Sequence, residues 1–110
     1  MTITAVQQVR DLPLQFRGVF TQVIEYEATW DPASVNSNSA QHETVAVIGA
    51  QMGDFVMASI DVDIQGLDLV AHVTSADVVT VGLHNPAAGA VDIGSCNLHI
   101  ILLRPQHLVG

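Results

Sequence analysis

The chain has 110 residues, with 3 Lys+Arg against 11 Asp+Glu, a net charge of −8, 13% charged and 49% hydrophobic residues. That length holds one domain with a modest core and rules out a two-domain enzyme built around a large cleft. The acidic balance argues against nucleic-acid binding, which needs Lys and Arg against phosphate, and the apolar content argues against intrinsic disorder.

Residues 1–18 differ from the rest. Val6, Val9, Leu12, Leu14 and Phe16 are apolar, Gln7, Gln8 and Gln15 are interleaved, and Pro13 and Gly18 break a helix. This segment reads as an extended N-terminal arm, followed by a single domain over residues 19–110. Residues 1–6 lack a basic stretch and a continuous apolar stretch, so no secretory signal is expected. No apolar run approaches the ~18 residues of a membrane-spanning helix.

From residue 19 the pattern has period two. Phe20, Ile24, Tyr26, Ala28 and Trp30 share one face, and Thr21, Glu25, Glu27 and Thr29 the other, which predicts a strand. Asp31-Pro32 ends it, and the polar residues 33–41 form a loop. A strand follows over 42–48, then a glycine-rich turn over 49–54. Residues 55–64 place Val56, Ala58, Ile60, Val62 and Ile64 on one face, with Asp61 and Asp63 on the other. Gln65-Gly66 turns the chain into a strand that alternates Leu67, Leu69, Ala71 and Val73. Ser75-Ala76-Asp77 is a tight connection to Val79, Val81 and Leu83. After the 85–89 loop and an irregular stretch at 91–95, Cys96, Leu98, Ile100 and Leu102 alternate until Arg104-Pro105 stops the strand. The chain has 31 Val, Ile and Thr in total, and β-branched side chains favour sheets. Connections this short join antiparallel neighbours. The expected class is all-β, an antiparallel β-sandwich or jelly-roll-like barrel.

Chemistry is sparse. Asp61-Val62-Asp63-Ile64-Gln65-Gly66 opens like a calcium loop, but Gln65 fits poorly and His72 stands where the loop's Glu belongs. The 49–54 turn has no Lys and precedes a strand, so it is no phosphate loop. His72, His84 and His99 occupy successive strand-like runs, where a three-His metal site is geometrically conceivable; exposed sheet histidines are the simpler reading. Ser59 and Ser75 lack a nucleophile elbow. The lone Cys96 excludes an intrachain disulfide and reads as a buried small hydrophobe. Trp30 reads as a core cap rather than a sugar-stacking platform. No enzyme, metal or cofactor is expected. So few charges on so apolar a chain also predict burial of surface in an assembly.

An ordered set of motifs carries a resemblance. Ala28-Thr29-Trp30-Asp31-Pro32 leads to Thr44-Val45-Ala46-Val47-Ile48-Gly49-Ala50. The G-A-x-x-G-D turn (Gly49, Ala50, Gly53, Asp54) follows, then the V-T-S-A-D hairpin (Val73 to Asp77) with Val79-Thr80-Val81. Last comes the N-x-x-x-G loop from Asn85 to Gly89. From Ala28 to Leu103 the chain resembles a small all-β module of tailed-bacteriophage structural proteins, found in head decoration (cement) proteins and in tail or fibre-associated proteins. Pro86-Ala87 departs from the pattern, and residues 1–27 lie outside it. The resemblance implies a virion structural protein on the outer capsid surface, made in the host cytoplasm. It would be a homotrimer that binds the major capsid protein and stabilises contacts between capsid subunits, with no nucleic-acid or membrane partner. The alternative is a tail, baseplate or fibre-associated module, with receptor binding as one role open to it. In the decoration reading the arm is the clamp, with Leu12, Leu14 and Phe16 as anchors and Arg10 and Arg17 facing capsid acids.

Overall fold

The computed structural model describes residues 5–10 and 20–105. Among them are seven strands and no helix: β1 (Ala5–Arg10), β2 (Phe20–Trp30), β3 (Ser39–Ala46), β4 (Phe55–Ile60), β5 (Asp68–Ser75), β6 (Val78–Asn85) and β7 (Cys96–Pro105). They form two antiparallel sheets, ordered β1-β2-β7-β4 and β3-β6-β5. No ladder joins the two sheets among the described residues. The chain crosses between them after β2, β3, β4 and β6.

Period-two alternation puts one core between the sheets. Ile24, Tyr26, Ala28 and Trp30 of β2 and Cys96, Leu98, Ile100 and Leu102 of β7 are buried in one cluster with Val79, Val81 and Leu83 of β6. Each such Val, Leu or Ile contributes roughly 1.5–3 kcal/mol through its removal from water. Val35, Val47, Ala50, Leu67 and Ile93 extend the cluster from the connections.

The structure changes several expectations. The segment read as a free arm divides: Ala5–Arg10 is an edge strand paired to β2, while Leu12, Leu14, Phe16 and Arg17 lie outside the described residues. Val6-Gln7-Gln8-Val9 has no period of two, so the ladder to β2, not local patterning, makes this segment a strand. β3 begins at Ser39, inside the stretch read as loop. β4 stops at Ile60 instead of continuing to residue 64, because the Asp61 carboxylate accepts hydrogen bonds from Asn97 N (2.8 Å) and Nδ2 (2.9 Å). Phe20 leaves the core face, because a bulge between Phe20 and Gln22 shifts the register there. β7 continues through Arg104 to Pro105.

Candidate functional site

The connection over residues 47–54 is fastened to both sheets. Gly49 N donates to Asp77 Oδ1 (2.8 Å), Asp77 N donates to Ala50 O (2.9 Å), and Val47 N donates to Asp77 O (3.0 Å). Asp77 has φ of 63° and Gly49 has φ of 97°. The first conformation suits Asp in a hairpin, and the second favours glycine. On the other sheet, Arg104 Nε and Nη2 donate to Asp54 Oδ1 (3.0 Å) and Oδ2 (2.9 Å), and Nη1 donates to Gln22 Oε1 (2.8 Å). Arg104 Nη2 also donates to Gly49 O. The Asp54 side chain is only 3% exposed, and the carboxylate beside it raises the Arg104 pKa further despite burial. Gln7 of β1 closes the latch, its amide bonding both Ile48 N and Ile48 O.

This fastened stretch leads into an apolar surface. Among the described residues the large exposed hydrophobics are Ile48, Met52, Phe55, Met57 and Val70. Four of them fall between positions 48 and 57. Phe55 and Met57 project from the outer face of β4, opposite Leu103 and Ile101 of β7, which in turn oppose Val23 and Glu25 of β2. Phe20 packs edge-on to Phe55, with ring centroids 6.1 Å apart and planes at 85°. One end of the outer sheet face is therefore an apolar strip. The other end is polar: His99 Nε2 lies 3.1 Å from Glu27 Oε1, and Asn97 holds Asp61. Those hydrogen bonds hold the Asp61 carboxyl below its ordinary pKa.

Of the residues expected to bind a partner, Arg10 ends β1 opposite Val23, beside this strip; Leu12, Leu14, Phe16 and Arg17 are outside the described residues. The three strand histidines do not converge. His72 and His84 stand four positions apart along the β5–β6 ladder, roughly 13 Å, and His99 is on the other sheet. Asp61 and Asp63 serve different partners, Asn97 and Gln65 N. Cys96 is buried, and desolvation raises its thiol pKa. Trp30 is buried with Nε1 donating to Glu43. The strip was missed in the sequence because alternation marks Phe55 and Met57 only as the face opposite Val56 and Ala58. The usable signal was that this opposite face is also apolar.

Among the described residues no helix is long and apolar enough to cross a membrane. Comparison with protein-family models, curated proteins and solved structures gave no match to this chain.

Proposed function

We propose that the chain is a capsid decoration protein of a tailed phage, a two-sheet β-sandwich that docks on the outer head shell and stabilises contacts between major capsid subunits. The observation that carries the reading is the apolar strip of Phe55, Met57, Ile101 and Leu103, half or more exposed at Phe55 and Met57 (58% and 53%) and held on a rigid ladder. Surfaces of this kind mark protein interaction sites. The sequence resemblance supplies the phage context. Glu25 and Glu27 border the strip on β2, so the complementary capsid surface is apolar with an Arg or Lys rim. Binding the assembled shell but not its separated subunits shifts the equilibrium toward the intact head. A homotrimer on the shell is part of the reading.

Removing residues 1–17 is a poor test, because it strips β1 and the Gln7 latch from the sheet along with the expected clamp. The F55S/M57S variant is cleaner. Its fold should stay within about 1–2 kcal/mol of wild type, the Phe20–Phe55 contact being the main loss. Its co-sedimentation with purified heads lacking this chain should fall at least about tenfold, or 1.4 kcal/mol. Wild-type copy number per virion, measured against the major capsid protein, should match a shell-wide lattice. A small fixed number would move the protein to the tail or fibre. Unchanged binding by the double variant would overturn the docking face.

A further inference from the structure

Among the described residues, strand β3 is a lightly protected sheet edge. Its backbone lies against β6 alone among the described strands, with eight consecutive antiparallel pairs and no register shift. Every residue from Ser39 to Ala46 is exposed or half-buried. Natural edge strands are blunted by Lys, Pro, bulges, inward charges or a covering element, because free N–H and C=O groups recruit further strands. β3 has no Lys, Pro or bulge; its single protective device is Glu43, which stands opposite core-lining Val81 and turns its carboxylate inward to accept from Trp30 Nε1. The opposite edge of the same sheet is treated differently: β5 has a bulge between Val73 and Ser75 and lies against β4. β1 stands clear of most of β3, because Gln7 meets Ile48, beyond the β3 C-terminus.

We infer that the free edge of β3 pairs antiparallel with β3 of a second copy of this chain, joining two three-stranded sheets into one of six strands. Backbone hydrogen bonds supply the attraction, and the side chains select the partner and register. With the two-fold axis at His42, Ala40 faces the copy's Thr44 and Glu43 faces the copy's Gln41, so no acid opposes an acid. Centring on Glu43 instead would set the two carboxylates against each other, which is destabilising. The His42 ring does not obstruct the centre. It lies back over Gly82, where a side-chain carbon on Gly82 would come within 2.7 Å of His42 Cδ2. The contact is isologous and closes at two chains, so it is independent of the shell-docking strip and distinct from a three-fold assembly.

The test is light scattering on the full chain over a concentration series, with two variants. In A40K/T44K, Lys opposes Lys twice across the two-fold axis, which should raise the dimer dissociation constant about tenfold or more. In A40E/T44K, Glu opposes Lys twice, and the dimer should persist near wild-type strength. Both sites are exposed, and thermal melts by circular dichroism check that the variants fold. A40K/T44K also reduces the magnitude of the net charge of −8 by two, so general repulsion does not explain its loss of pairing. In wild type, amide exchange in β3 should slow as concentration rises. A monomeric wild type, or an assembly whose mass A40K/T44K leaves unchanged, would overturn the inference. So would loss of the dimer in A40E/T44K, which would refute the register.

Discussion

Arg104 fastens the 47–54 connection to the β1-β2-β7-β4 sheet through Asp54, Gln22 and Gly49 O. Its guanidinium binds the Asp54 carboxylate through two hydrogen bonds while the Asp54 side chain is almost wholly shielded. Removing one partner strands the other, a loss of roughly 3–5 kcal/mol for a buried pair and less where one member keeps some water. Arg104→Met should therefore lower stability by about 2–4 kcal/mol in urea unfolding. The double variant R104M/D54N should recover part of that loss, since no unpaired charge is left. Additive losses would show that the pair is not coupled. Asn85 follows the same logic without charge: fully buried, it donates through Nδ2 to Val35 O and Gly89 O and accepts from Ala87 N through Oδ1. These contacts explain why the sequence motifs stand out. Gly49, Asp54, Asp77, Asn85 and Gly89 are all joints that fasten loops, so the resemblance they carry reports architecture. It assigns no side chain to a partner.

Strands were legible where one face is wet and the other dry. β2, β5, β6 and β7 follow the alternation closely, and the hairpin at Asp77 is where Ser-Ala-Asp placed it. Ends were less legible, because long-range partners decide them. β4 stops where Asp61 is captured by Asn97, 36 residues away in sequence, and nothing local in Asp-Val-Asp-Ile announces that. β3 was half hidden because Ser39 and Ala40 look like loop until β6 supplies hydrogen bonds. The Asp61 junction makes a pH prediction. Its folded pKa is lowered, first by the Asn97 backbone N–H and then by the Asn97 amide. Its stabilisation is therefore present above the ordinary carboxylate pKa and is lost as pH falls through the lowered folded value. Wild type should be more stable than Asp61→Asn near neutral pH, with the gap closing in acid. Urea midpoints measured from pH 7 downward check this, and a gap that is constant or widens in acid refutes it.

For the molecule as a whole, sequence arithmetic gave the class but not the pairing. Antiparallel neighbours followed from short connections, yet the order β1-β2-β7-β4 lays β2, early in the chain, beside β7, the last strand described, and no local pattern encodes a ladder between residues so far apart. That ladder makes Cys96 a probe of global opening. It sits at the start of β7, a central strand flanked by β2 and β4, 6% exposed, with desolvation raising its thiol pKa. Both burial and the scarcity of thiolate slow its alkylation in the native state. Cys96 pairs with Trp30 of β2, and β4 joins β7 only from Leu98 onward; to expose the thiol, β7 must leave β2 and the shared core, so the free energy of opening should approach that of complete unfolding. Iodoacetamide labelling at fixed neutral pH should therefore speed up in urea with the slope of the global transition. In Arg104→Met it should accelerate by the factor that the stability loss predicts, about tenfold for each 1.4 kcal/mol. Labelling that is fast without denaturant and insensitive to Arg104→Met would show that the 96 end of β7 frays on its own, and that the core does not open as one unit.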